Sequence, residues 1–356
     1  MELTLERARR LMDENHGDLN LRNTDITSLP DGLTVEGSLY LTGTRVSSLP
    51  KGLKVGRDLN LYDSDVKLLP DGLTVGGRLL ADHTRISSLP DGLTVGGDID
   101  LSYTGITSLP DGFTTKGSLR LSGTDIACLP VDLAVGGALW MDHTRISSWP
   151  RGLKIGCSLF AHHTAITSFP EGAEIGNDID LSDTGITSLP DNLTVNGWLV
   201  LSNTGITSLP KGLTVRCSLD LSDTGITSLP DDLVVEDGLY LQNTGIMSIP
   251  DVLMANCDPL HLDGTGITSL PDGLTTKGGL YLSNTGIMSL PDGLAVKGDL
   301  DLSNTGITSL PKGLKVRYML CLRGTGVTSL PDDLGVGVMI VLPDGSRIDG
   351  RAPGKP

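Results

Sequence analysis

The chain is 356 residues long and carries 43 Asp and Glu against 27 Lys and Arg, for a formal net charge of −16. That balance excludes a nucleic-acid partner, which requires a basic face to neutralise phosphates. No apolar run approaches the roughly 18 residues needed to cross a bilayer, so no membrane partner is expected either.

The first ten residues, Met1 to Arg10, lack the apolar stretch of a secretory signal peptide. The expected location is cytoplasmic as synthesised, a reading compatible with delivery by a specialised secretion system. Thr4 to about Glu14 reads as an amphipathic helix with Leu5, Ala8, Leu11 and Met12 on one face. Thr4 is placed to cap its start and Gly17 to stop it. Residues 1–17 are thus expected to seal the first coil of a repeat array.

The array begins at Leu19. From Leu19 and Leu21 through Leu39 and Leu41 to Leu320 and Leu322, one unit recurs every 20 residues, close to G-x-L-x-L-S-x-T-G-I-T-S-L-P-D-G-L-T-V-x. It fades at Ile340 and Leu342. Such a period marks a stack in which each coil touches its neighbours, a long surface better suited to binding than to chemistry. Residues 18–344 make about 16 coils and a partial last one.

Residues 38–57 show how one coil is built. Leu39-Tyr40-Leu41 alternates inward and outward and reads as a short strand. Thr44 sits where its hydroxyl can bond the backbone of the coil, in a ladder with Thr24, Thr84, Thr104 and Thr124, and Ser64 keeps the hydroxyl in its coil. Val46, Leu49, Leu53 and Val55 point inward from the returning arm. Pro50 and Gly52 disfavour a helix on that arm, so it is expected to be extended or polyproline-like. In the recurring Leu-Pro-Asp-Gly, proline presets φ, Asp bonds nearby backbone and Gly reverses the chain. Asp31, Asp71, Asp91, Asp111, Asp191, Asp272, Asp292 and Asp332 fill that slot, so much of the negative charge is turn chemistry.

Departures from the unit are few. Phe169 replaces the usual Leu while Ala173 is small where Leu is normal, which conserves volume within one coil. Trp149 makes the same replacement with no small partner in view. The five cysteines, Cys128, Cys157, Cys217, Cys257 and Cys321, form no Cys-x-x-Cys and are expected to be free thiols. Between Asn256 and Leu260 the unit gains one residue, and a local irregularity is expected there. Residues 345–356 are polar and rich in Gly and Pro, and are expected to form a flexible tail.

These residues resemble the short, twenty-residue class of bacterial leucine-rich repeats with Leu-Pro in each unit, as in YopM-like and IpaH-like effectors. The resemblance covers residues 18–342. It implies an α/β-type leucine-rich-repeat solenoid with short parallel β-strands on the concave face, extended convex arms and one N-terminal capping helix. Its function is implied as partner recognition. Two departures stand out: one short helix in place of the usual helical hairpin, and about a dozen residues after the last strand, where IpaH-like proteins carry a ubiquitin-ligase domain.

In such a solenoid the outward strand residues, and the two residues after each strand, line the partner-facing surface. The later coils are monotonous there, as in Ser202-Asn203, Ser222-Asp223 and Ser303-Asn304. Residues 80–165 are not. Leu80, Asp82, His83 and Arg85, then Tyr103, then Trp140, Asp142, His143 and Arg145, then Phe160, His162 and His163 bring large and titratable groups. Exposed aromatics with Arg are what binding hot spots are enriched in, so these residues are the candidate contact surface for a protein partner. His143 with His163, and Asp142 with His162, should stack one coil apart within reach of a shared metal. Solvated histidines are the commoner reading, so no metal or cofactor is assigned. The pairs Asp98/Asp100 and Asp178/Asp180 raise weak calcium binding, although the calcium β-roll register is absent. No Gly-x-Ser-x-Gly, phosphate loop or His-Glu-x-x-His occurs, so no enzyme is expected. The leading expectation is a monomeric, non-enzymatic binding scaffold, effector-like in character by resemblance. The alternative is a structural spacer or self-associating repeat, motivated by the near-identity of the later coils.

Overall fold

The structure is a computed structural model that describes residues 2–169 and 172–350. Two compact units occur, residues 1–179 and 180–356, each a stack of similar coils. Each unit is a parallel-strand solenoid.

In the first unit the strand leucines pair in parallel and in register at every coil, Leu19 with Leu39, Leu39 with Leu59, and so on to Leu139 with Leu159. The second unit repeats this from Leu199 with Leu219 to Leu320 with Ile340. Register follows from burial. Leu39 and Leu41 are fully buried while Tyr40 between them is half-exposed, so a slip by one residue would expose the core.

After each strand the chain turns, with Thr44 N–H donating to the Leu41 carbonyl at 3.1 Å and Gly43 at φ +65°. The hydroxyl ladder forms on the same carbonyls. Thr44 Oγ1 donates to Leu41 at 2.7 Å, Thr84 to Ala81 at 2.6 Å and Thr124 to Leu121 at 2.7 Å, all buried. Ser64 departs from this expectation: its hydroxyl oxygen is buried with no hydrogen-bonding partner.

The returning arm is extended, as anticipated, but it is a second ladder and not free polyproline. Thr34–Val35 pairs with Lys54–Val55, then Thr74–Val75, then Thr94–Val95. Gly52 at φ +64° lets Leu53 N–H reach back to the Pro50 carbonyl at 3.3 Å, which closes the Pro-Lys-Gly-Leu turn before the arm. The Asp of this slot does not serve its own turn at Asp191 and Asp292. Each accepts instead from the backbone N–H one coil on, at Lys211 (3.2 Å) and Lys312 (3.1 Å).

A related bond precedes several strands. Ser38 N–H donates to Asp18, Arg78 N–H to Asp58, Ser118 N–H to Asp98 and Met319 N–H to Asp299, at 2.7–2.9 Å. Acidic side chains thereby tie coil to coil, which satisfies backbone donors at the strand entry. Asp98 is engaged in this way, and the Asp178 carboxylate accepts from the Ser158 hydroxyl at 3.1 Å. Among the described residues neither aspartate pair joins a cluster of three or more His, Cys, Asp or Glu ligands.

Helix α1 spans Leu5–Glu14, with Thr4 Oγ1 accepting from Arg7 N–H at 3.2 Å. It ends through Gly17, at φ +88°, whose N–H returns to the Met12 carbonyl at 2.9 Å. Ala8 is fully buried and Leu11 and Met12 are half-buried, but Leu5 is exposed. Leu3, at 3% exposure, takes the sealing place in an extended lead-in bonded to Ser28.

Three expectations are corrected. A second helix, α2, covers Asp251–Asn256 on a returning arm. Val252 stands where other coils have the turn glycine, so the left-handed turn is disfavoured, and Leu253, Met254 and Ala255 favour helix. The helix takes up the inserted residue, because Leu239 still pairs with Leu260 across 21 positions. Second, the tail is not frayed at its start. Arg347–Asp349 is a strand antiparallel to Met339–Val341, with Ile348 opposite Ile340; residues 351–356 lie outside the described residues. Third, Phe169 and Ala173 are both half-buried, so their exchange is not a core swap. Phe169 packs edge-on to Trp149 at 6.2 Å, and the Trp149 indole N–H donates to the Ser168 carbonyl at 2.6 Å, which accounts for that tryptophan.

Candidate binding surface

Three columns run down each strand face: the residue between the two leucines, the first residue after the strand, and the second. The second has a backbone requirement invisible in sequence. Asn23, Asp63, Asp183, Asn203, Asp223, Asn243, Asn284 and Asn304 all have φ of +50° to +56° or +57°. Asn, Asp and Gly tolerate this left-handed region best, so the monotony of the column is set by the turn. Neighbours in it also bond one another, as Asn243 Nδ2 does to Asp223 Oδ1 at 3.0 Å and Asn304 Nδ2 to Asn284 Oδ1 at 3.1 Å.

Four residues accept that conformation with rings. His83 (φ +57°), Tyr103, His143 and His163 (each +55°) all come from the anomalous region, and Tyr103 is the least suited to it. Such strain is retained where the surroundings impose it and concentrates at functional positions.

The expected contact residues gather into two groups. In the first, the His83 ring lies 5.6 Å from Tyr62 and 4.8 Å from Tyr103, and His83 Nδ1 is 3.3 Å from Asp82 Oδ2. Leu80 is half-buried in the strand beside this row, and Arg85 is exposed. Tyr103, 56% exposed, lays its ring over Gly123, where a Cβ would come within 2.5 Å of it.

The second group is larger. Trp140 and Phe160 occupy paired strand positions and stack at 5.3 Å with 10° between planes. Arg120, from the preceding strand, places its guanidinium 4.4 Å from the Trp140 ring, within cation–π range, and approaches Asp100 at 4.0 Å. Arg, Trp and Phe thus form one continuous stack down the sheet. Beside it, His143 is 4.6 Å from His163 and 5.4 Å from His162, ring to ring. Asp142, at 8% exposure, holds His162 Nε2 at 3.3 Å. Arg145 is drawn outward to Asp125 at 3.0 Å.

A third row, outside the residues expected to contact a partner, lies in the second unit. Tyr240, His261 and Tyr281 stack at 4.9 and 4.1 Å, nearly parallel, and Trp198 reaches Tyr240 at 6.1 Å. Asp263 sits beneath it, 3.4 Å from His261 and hydrogen-bonded to Ser283 Oγ and N–H at 2.7 and 3.1 Å. Burial pushes the Asp263 carboxyl up, but these bonds together outweigh it and the net shift is downward. Burial first, then nearby aspartates, push the Tyr240 and Tyr281 phenols up, so both remain neutral donors. Tyrosine or histidine between the two leucines in three successive coils was the available signal.

No protein-family profile matches the chain, and no curated protein matches it in sequence. Solved structures do. A leucine-rich-repeat protein of Leptospira interrogans superposes with a TM-score of 0.60 at 18% identity, over 92% of this chain and 95% of that one. The fold is a leucine-rich-repeat solenoid. YopM of Yersinia pestis, described as a leucine-rich effector protein, matches at a TM-score of 0.50 and 18% identity over 81% of this chain and 88% of its own. At these identities the likeness establishes the architecture. The leucine-rich-repeat strand face is where the aromatic and histidine rows are displayed, and among the described residues no helix is long and apolar enough to cross a membrane.

Proposed function

We propose that this leucine-rich-repeat chain is a non-enzymatic scaffold that binds a protein partner through the strand face of residues 80–163. The carrying observation is the Arg120–Trp140–Phe160 stack, three large side chains in successive coils that are preformed against one another and half-exposed. Trp and Arg anchors of this kind dominate interface energetics when a partner desolvates them. Because their rings are already ordered by stacking, little rotamer entropy is lost on binding. Tyr103, His83, Asp82, Leu80 and Arg85 form one flank, and Asp142, His143, Arg145, His162 and His163 the other. The net charge of −16 favours a protein partner over nucleic acid.

Partner capture by the purified chain tests the reading. The combined variant Trp140→Ala, Phe160→Ala and His163→Ala is expected to abolish capture while its circular dichroism melt stays close to the parent's. Capture that survives the three changes overturns the assigned surface. The row Tyr240–His261–Tyr281 supports binding over a plain spacer, since a spacer has no use for a second ordered aromatic row. The effector-like role implied by resemblance belongs to this same proposal, and adjacent export genes around the coding sequence would support it.

A further inference from the structure

We infer that His143, His162 and His163 form a site for a divalent transition metal of zinc type, held by three imidazoles and oriented by Asp142. The inference is independent of any protein partner. One ring nitrogen from each histidine lies within 4.8 Å of the others, and this is the one such three-ligand cluster among the described residues.

The backbone explains how consecutive residues reach one point. In an extended strand His162 and His163 would face opposite ways. His163 instead adopts φ +55°, which turns its ring back until the two Nδ1 atoms are 3.2 Å apart. A tetrahedral ion with metal–nitrogen bonds of about 2.0–2.1 Å needs its ligand nitrogens about 3.3–3.4 Å apart. One edge of the tetrahedron is therefore already set. His143, from the same left-handed column one coil earlier, must close by up to about 1.4 Å, which side-chain rotation on an exposed residue permits.

The arrangement around the ligands matches metal chemistry as well. Asp142 Oδ1 lies 3.3 Å from His162 Nε2, while its Oδ2 accepts from Ser122 Oγ at 3.1 Å. Donation of the Nε2 proton in a hydrogen bond to this buried carboxylate, 3.3 Å away, would fix the ring and leave Nδ1 as the donor to a metal, the arrangement typical of zinc-bound histidine. At present the 3.2 Å contact between the two Nδ1 atoms requires a proton on one of them. Metal binding moves the His163 proton to its other ring nitrogen, so both Nδ1 lone pairs face the ion. Three nitrogen donors select borderline ions such as Zn²⁺ over Ca²⁺ and Mg²⁺, which demand oxygen. His143 and His163 are exposed, so the fourth position stays open to water or an incoming carboxylate.

Titration of the full chain with zinc chloride alone, in a non-chelating buffer, tests the site by calorimetry. One ion per chain is expected. Cobalt(II) should give the strong visible bands of a tetrahedral complex without thiolate charge transfer. His143→Asn and His163→Asn together use the residue that other coils carry at these positions, so the fold is retained, and binding should fall more than about 100-fold. Asp142→Asn should weaken it by about 10-fold or more through the lost orientation of His162. The combined Cys128→Ser and Cys157→Ser variant should bind as the parent does. Absence of heat beyond dilution overturns the site, as does binding that survives the paired Asn substitutions or disappears with the two exposed thiols.

Discussion

At the scale of single residues, the repeat works by placing one chemical group where every coil needs it, and Ser64 shows what happens when the group is incomplete. In threonine coils the γ-methyl restricts the rotamer and the hydroxyl falls on the carbonyl three residues back. Serine lacks that restriction, and its oxygen is buried without a partner. Ser64→Thr is therefore expected to stabilise by about 1–2 kcal/mol, from one hydrogen bond and one buried methyl. Urea denaturation should show a higher midpoint, and an unchanged or lower one would contradict the account. Tyr103 is the opposite case, a residue poorly suited to φ +55° with 56% of its surface exposed. Tyr103→Asn should stabilise by about 1 kcal/mol through relief of backbone strain, less a smaller loss of ring contact with His83. If the ring serves recognition, the same variant should weaken partner capture. A destabilised Tyr103→Asn would show that the ring contributes to packing.

Among elements, the row Tyr240–His261–Tyr281 is held from below by a carboxylate whose charge is stabilised in the fold. Because the folded Asp263 carboxyl titrates below its ordinary value near 3.8, its contribution is complete above that pH and is lost as pH falls through the depressed value. Asp263→Asn should thus be less stable than the parent at pH 7, with the difference shrinking as pH falls below the ordinary carboxylate value of 3.8. A constant difference across that range would remove the carboxylate from the account. This row is legible in the sequence only once the strand leucines are aligned, for a physical reason. The residue inserted between Asn256 and Leu260 shifts the column by one, so His261 no longer aligns with Tyr240 at the 20-residue spacing. The strand leucines, the threonine ladder and the limits of α1 were legible because burial and capping act through local pattern. Helix α2, the second ladder on the arms, the acidic coil-to-coil bonds and the convergence of three histidines were not, because each depends on what the neighbouring coil presents.

For the molecule as a whole, part of the negative charge is structural: carboxylates at Asp18, Asp58, Asp98 and Asp299 close the gap between one coil and the next. In other coils a serine hydroxyl takes the same place, as Ser118 Oγ does for Ala138 N–H, so a coil fits a neighbour in the same phase. Stability in such an array approximates a sum of coil and interface terms. Removal of residues 201–220 joins Val200 to Leu221 and restores the strand pattern with one coil fewer. That deletion is expected to leave a cooperatively folded protein, with a urea m-value reduced by about 6%, in proportion to the surface lost. Deletion of residues 201–210 instead joins Val200 to Lys211 and puts an arm where a strand belongs. Its register fails at every following coil, so its cooperative transition should be lost or much reduced. Equal behaviour of the two deletions would mean that chain length, and not phase, governs how these coils stack.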